Sequence, residues 1–309
     1  MGKRKDRNKT DRLGHYSPRF WLSWLAVGLT WALAKLPYRA QHTISRWLSR
    51  LAIATGSSRV KTIRRNIDLC FPELPTQARE ELIAKNLYST IFMFFDLLAM
   101  VWGSKTSVLN RGHVSGEQHL HDALAMNKPI ILVSCHATSF LLAFAKLSAI
   151  TPYSAVYRRM DNPVLEKQLY QRAASKYPIE TIHRKEIPYM LKQLANQGVV
   201  LIVPDQDFGP KRSVFIQHFG IDTATITAIP QYAKSADACV LLVCSYREPN
   251  GHYVLQIDPV LDNYPSGDDL ADTQLWSDWL EREIRKHPED YFWLHKRFKT
   301  RPEDQQKLY

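Results

Sequence analysis

From about residue 113 onward, short apolar runs alternate with stretches whose apolar residues recur at helical spacing. The runs Pro129–Ser134, Ser154–Tyr157, Val199–Asp205, Ala238–Tyr246 and Tyr253–Pro259 read as strands. Between most of them, segments near 116–126, 138–150, 161–175, 185–197, 224–236 and 272–287 read as helices. Strands that alternate with helices predict an α/β domain built on a largely parallel sheet with flanking helices.

The pattern upstream is different. Phe20–Leu36 (FWLSWLAVGLTWALAKL) is apolar with Lys35 as its one charge, and predicts an N-terminal membrane helix. At 1.5 Å per residue it reaches roughly 26 Å, slightly less than a hydrocarbon core of about 30 Å. Trp21, Trp24 and Trp31 suit the membrane interface, and Pro37 marks the exit. A cleaved signal peptide is the competing reading, opposed by the absence of a small-x-small site and by the arginines that follow. Residues 41–70 mix Arg46, Arg50, Arg59, Lys61, Arg64 and Arg65 with Trp47, Leu48, Leu51, Ile63 and Ile67, which suits either anionic headgroups or an ordinary solvated helix face. Glu80–Trp102 reads as a long helix with a strongly apolar end. The expected organisation is a basic tail (1–19), a membrane helix (20–38), a basic and apolar helical region (39–110) and an α/β core (111–309).

Three strand ends deliver polar groups to one edge of the expected sheet, the place where α/β folds put their sites. His136 follows the first strand among small polar residues. Arg158 and Arg159 follow the second in VYRRMDNP, offering guanidinium donors for phosphate or carboxylate. Asp205 and Asp207 close the third in VPDQDFGP, where a turn-capping role is the plain alternative.

Charge and motifs narrow the chemistry. The 309 residues carry 41 Lys and Arg against 30 Asp and Glu, a formal charge of +11, which favours a phospholipid surface, a phosphorylated substrate or a nucleic acid. No RNA or DNA recognition motif accompanies the charge, so a nucleic-acid partner is not expected. No GxxxxGK[ST], GxGxxG, HExxH or paired CxxC occurs, and neither cofactor nor metal is expected. Cys70, Cys135, Cys239 and Cys244 sit in apolar or strand-like contexts and read as reduced core residues.

The order of the blocks carries a resemblance. RRNIDLCFPEL at 64–74, His136 after its strand, VYRRMDNP, VPDQDFGPKRSVF and FWLHKRFKTRPE are together similar to the lipid A biosynthesis (lauroyl/myristoyl) acyltransferase family, from about residue 15 to the end. The family belongs to the wider glycerolipid acyltransferase type. The resemblance implies transfer of a secondary fatty acyl chain from acyl-acyl carrier protein, or acyl-CoA, to a Kdo-lipid IVA type lipid A precursor in lipopolysaccharide biosynthesis. It also implies a bacterial inner membrane location with the catalytic domain at the cytoplasmic face. His136 is then the general base, Arg158 a phosphate or oxyanion partner and Asp205 an organiser of the site. Arg159, Asp207, Lys211, Lys296, Arg297 and Lys299 fall to the acidic groups of the substrate.

One position departs from the family pattern, in which the His is followed after four residues by Asp or Glu. Here that position is Leu141, and no Asp or Glu lies between Asp122 and Asp161. An acid beside the imidazole fixes its tautomer and stabilises its charged form, and leucine does neither. Three readings stay open: another carboxylate such as Asp205 reaches His136, the enzyme is slow, or the chain is a non-catalytic lipid-binding paralogue.

Overall fold

A computed structural model of the chain describes residues 16–157 and 159–309. Most of the basic tail, and Arg158, lie outside the described residues.

Helices come first: α1 (Trp21–Ala34), α2 (Tyr38–Thr55), α3 (Ser58–Cys70) and α4 (Thr76–Trp102). Pro18 precedes α1 and Pro37 stands at the N-cap of α2, so proline separates these elements where it cannot continue a helix. α1 is therefore shorter than the expected span, with 14 residues. Among the described residues, the one helix long and apolar enough to cross a membrane is α4, and half of that stretch is buried within the protein. α1 instead lies along α4, where Trp102 donates to Thr30 across 3.2 Å, and it leaves Trp21, Leu22, Leu25, Leu29 and Trp31 exposed.

The remaining elements form the α/β layer. Strands β1 (Gly112–Ser115), β2 (Ile130–Val133), β3 (Tyr153–Tyr157), β4 (Ile179–His183), β5 (Val199–Ile202), β8 (Cys239–Arg247) and β9 (Tyr253–Val260) make one sheet in the order β1-β9-β8-β2-β5-β3-β4. Every pairing in it is parallel except β8 with β9. β6 (Ser213–His218) and β7 (Ile221–Ile226) form a separate antiparallel hairpin. Helices α5 (Glu117–Ala125), α6 (Phe140–Leu147), α7 (Ile187–Ala195), α8 (Ala228–Ala236) and α9 (Asp269–Lys286) supply the covers and crossovers. The α/β architecture with a mostly parallel sheet and flanking helices is thus as the pattern predicts.

Burial follows the pleat. Ile131, Val133, Val200, Ile202, Val240 and Leu242 face one side, packed with α3, α4, α7, α8 and α9. Ile130, Leu132, Val199, Leu201, Leu241 and Val243 face the other, packed with α5 and α6. Both faces are covered, which is why these strands read as unbroken apolar runs. All four cysteines are buried free thiols.

Two expected elements differ. The helix expected over 224–236 begins at Ala228, because 221–226 is the second strand of the hairpin. Its turn, Phe219 and Gly220, has φ of +54° and +68°, the paired left-handed geometry that lets two strands reverse directly. The helix expected over 161–175 comes in three pieces, Pro163–Leu165, a π-type turn Glu166–Gln171 and Arg172–Ala174.

Candidate active site

β2 and β5 are parallel neighbours, with Val133 opposite Ile202. His136 lies three residues past Val133 and Asp205 three past Ile202, so the two chains leave the sheet in step and their side chains meet. Asp205 takes both available donors of His136: its Oδ1 is 2.6 Å from Nδ1, and its Oδ2 accepts the backbone N–H at 2.9 Å. The fork locks ring and main chain to one carboxylate. Asp205 is buried, at 2% exposure, whereas the His136 side chain keeps 29%.

The electrostatics match the geometry. Burial pushes the Asp205 carboxyl upward, but the charge of His136, its two hydrogen bonds and the more distant Arg297 outweigh burial and hold it down at about 2. Burial pushes His136 downward, and the charge and hydrogen bond of Asp205 raise it above the ordinary histidine value. At neutral pH Asp205 is ionised and can only accept, so the Nδ1 proton of His136 points at it, and in the neutral ring Nε2 presents the lone pair. That is the state a general base needs.

The C-terminal segment forms the opposite wall. Phe292 donates its N–H to the His136 carbonyl at 2.9 Å, and Thr138 donates to the Asp290 carbonyl at 2.7 Å. Two asparagines from the N-terminal helices fasten this segment. Asn66 on α3 donates to the carbonyls of Trp293 and His295, both at 2.7 Å. Asn86 on α4 donates to those of Glu289 and Tyr291, at 2.9 and 2.6 Å. His295 is thereby brought beside His136, ring centroids 5.5 Å apart, with the Gln206 amide nitrogen between them at 3.0 Å from His136 Nε2 and 2.8 Å from His295 Nε2.

The other residues expected in the site are distributed unevenly. Asp207 is taken up in a turn, accepting from Gly209 N at 2.8 Å and from the Thr300 N and Oγ1 at 2.6 and 2.8 Å. Arg297, at 3% exposure, lies beneath the site and donates to Ala224 O at 2.8 Å, Thr225 Oγ1 at 2.7 Å and Gln206 O at 3.4 Å. Its guanidinium therefore holds the Gln206 loop against β7 and faces no solvent. Lys211, Lys296, Lys299 and Arg159 are on the surface. Arg158 lies outside the described residues. Leu141, at the motif's acid position, lies in the first turn of α6 and packs in an apolar cluster with Met100, Val101, Leu142 and Leu169. Among the described residues no group of three or more His, Cys, Asp or Glu side chains converges as a metal ion would require.

Gln206, His295, Asn66 and Asn86 were not singled out by the sequence reading. Asn66 and His295 do fall inside two of the blocks that carry the family resemblance, RRNIDLCFPEL and FWLHKRFKTRPE, and the structure joins these distant blocks by a hydrogen bond.

Comparison with known proteins agrees along nearly the whole chain. The model of the family described as bacterial lipid A biosynthesis acyltransferase matches residues 11–300. The lipid A biosynthesis lauroyltransferase of Escherichia coli (strain K12) is 33% identical over 292 residues, 93% of this chain and 94% of that one. The lipid A biosynthesis palmitoleoyltransferase of the same organism is 29% identical over 295 residues, 94% of this chain and 95% of that one. A lipid A biosynthesis acyltransferase of Haemophilus influenzae is 30% identical over 296 residues, 93% of both chains. An imidazole held by a buried carboxylate at the end of a parallel strand, and a match that runs from the first helix to the C-terminal wall of the site, lead to one conclusion: the chain belongs to the bacterial lipid A biosynthesis acyltransferase family.

Proposed function

We propose that this acyltransferase places a secondary acyl chain on a hydroxyl of a Kdo-lipid IVA type precursor, with acyl-acyl carrier protein as donor, and that the His136–Asp205 dyad is its base. The 2.6 Å contact between Nδ1 and an ionised, buried carboxylate carries the reading. His136 Nε2 takes the proton of the acceptor hydroxyl as its oxygen attacks the thioester carbonyl. Collapse of the tetrahedral intermediate breaks the C–S bond, and the leaving thiolate takes the proton back from the imidazolium. Asp205 keeps its proton-free state throughout and stabilises the imidazolium that forms. Arg158 and the surface cations Arg159, Lys211, Lys296 and Lys299 are the candidates for the acceptor's phosphates and acidic sugars.

The lipid-binding alternative rested on Leu141. Asp205 reaches Nδ1 from the neighbouring strand, which supports catalysis without an acid at that position. Mass spectrometry of lipid A from cells with and without the gene tests the reading. Loss of one acyl chain on deletion, restored by the wild-type gene and not by His136→Ala, is the expected result; unchanged lipid A removes the assignment.

We further infer that α1 and α2 bring the enzyme to the cytoplasmic face of the inner membrane. Trp21, Leu22, Leu25, Leu29 and Trp31 on α1, with Trp47, Leu48 and Leu51 on α2, are large apolar groups left in solvent, and Arg39, Arg46 and Arg50 interleave with the second set. That mixture suits a helix lying at anionic headgroups. Deleting residues 1–38 should move the protein from the membrane fraction toward the soluble fraction in high salt. Full retention would show that α2 and α4 suffice.

A further inference from the structure

We propose that Gln206 is a positioning residue whose side-chain amide occupies, in the free enzyme, the place at His136 Nε2 that the acceptor hydroxyl takes during transfer, with His295 holding it there. The proposal rests on the reading of His136 as the general base.

The hydrogen-bond donors decide the assignment. In the neutral ring, the form a base uses, the Nδ1 proton goes to Asp205 at 2.6 Å and Nε2 carries the lone pair, so the Gln206 group 3.0 Å from it is the donating NH2. The second amide hydrogen points at His295 Nε2, 2.8 Å away, which must also be unprotonated. Burial first, and the nearby charge of His136 second, lower the pKa of His295 and keep it neutral. One NH2 group thus satisfies two imidazoles. The Gln206 backbone is fixed by its neighbour Asp205 and by Arg297 on its carbonyl, so the side chain is the part left to move.

A hydroxyl that gives its proton to Nε2 must come within about 2.6–3.2 Å of it. The amide nitrogen already stands in that shell, so acceptor binding has to displace it. Displacement exchanges one donor for another, and Nε2 is satisfied in both states. A donor on Nε2 also stabilises the neutral ring, opposing Asp205, which favours the charged one. The other groups near this ring are His295 from the C-terminal wall, Tyr291, which acts on Asp205, and Arg297 behind the Gln206 carbonyl, while Arg59 on α3 acts on His295. The cap is present in the free enzyme and absent from the acceptor complex. That difference is measurable, because the pH profile of kcat/KM reports the free enzyme and that of kcat reports the complex.

Gln206→Ala and Gln206→Glu are assayed with an acyl-carrier protein donor and a lipid A precursor acceptor. In Gln206→Ala the acid limb of kcat/KM should move up by about 0.5–1 pH unit, the size of one neutral hydrogen bond. In Gln206→Glu it should move further, because a carboxylate must accept from a protonated ring. The limb in kcat should stay in place in Gln206→Ala. His295→Ala, which leaves Gln206 intact and removes its second anchor, should give a smaller shift of the same sign. NMR titration of His136 in the free variants reads the same shift where turnover is too slow to assay. An unmoved kcat/KM limb in a folded Gln206→Ala enzyme, or parallel movement of both limbs, overturns the proposal. Failure of the underlying reading looks different: His136→Ala would then keep its turnover.

Discussion

Exchanging Asp205 for asparagine is expected to slow acyl transfer by a factor approaching about 10⁴, the loss seen when the acid of a serine protease triad is neutralised. The size follows from which end of the new amide faces the ring. The backbone N–H of His136 can only donate, and it sits 2.9 Å from Asp205 Oδ2. An asparagine must offer its oxygen there, which turns its NH2 toward Nδ1 at the 2.6 Å contact. Nδ1 is then forced to accept, the ring proton moves to Nε2, and the lone pair that should take the hydroxyl proton is gone. His136→Ala should abolish transfer. Single-turnover assays of folded protein read both, and an Asp205→Asn enzyme within tenfold of wild type would remove Asp205 from the mechanism.

The same geometry changes what to expect at Leu141. Nδ1 is already engaged, and Leu141 is packed with Met100, Val101 and Leu169 on the apolar side of α6. Leu141→Glu would bring a carboxylate into that cluster without a partner. It should leave the rate no higher than wild type and lower stability. A rate increase would mean that the Asp205 contact is not the working one.

Strand ends were legible because of burial on both faces. β2, β5 and β8 are covered by helices above and below, so β2 and β5 are apolar throughout, β8 is apolar from Cys239 to Cys244, and the runs stand out. The residues just beyond such runs, His136 and Asp205, could be named as neighbours in a site before any register was known. Edge strands lacked the signal: β1 is GHVS and β4 is IETIH, half polar because one side of each has no strand to meet. The hairpin was hidden for another reason. IDTATI has small and polar residues that a helix also tolerates, and its strand character depends on the turn at Phe219 and Gly220.

Within the site, composition misled where direction mattered. Lys296, Arg297 and Lys299 form one basic block in the sequence, yet the middle residue is buried and braces the loop of Gln206 while its neighbours face water. A charge count cannot tell inward from outward. Nor could Asn66 and Asn86 be found from their own surroundings, since each matters through carbonyls more than 200 residues away in the chain, |i−j| = 227 and 203 for the first of each pair. These contacts make the N-terminal helices part of the site's support.

A buried charge network extends this support, and its failure should be the largest stability loss of any single substitution considered. Arg247 at the end of β8 is 8% exposed and donates to Asp96 on α4, 1% exposed, at 3.1 Å. Its other Nη donates to Ser89 at 2.7 Å, and its backbone N–H donates to Asp290 at 2.6 Å. Asp290 in turn accepts from Ser89 and from Thr138, two residues beyond His136. Arg247→Met keeps most of the volume and removes the cation, leaving Asp96 with the Tyr253 hydroxyl as its remaining partner. Breaking a buried pair in this way costs about 3–5 kcal/mol, because the surviving carboxylate has no water and keeps only the weaker influence of Arg111 as counter-charge. Denaturation in detergent should register a loss of that order. The double variant Asp96→Asn with Arg247→Met should recover much of it, since the neutral amide still accepts from Tyr253 and no longer needs a cation. A loss below about 1 kcal/mol in Arg247→Met would show that the pair contributes no more than an exposed one. Equal instability in the single and double variants would place the cost in the lost stacking of the Arg247 guanidinium over the Phe92 and Tyr253 rings and not in an unpaired charge.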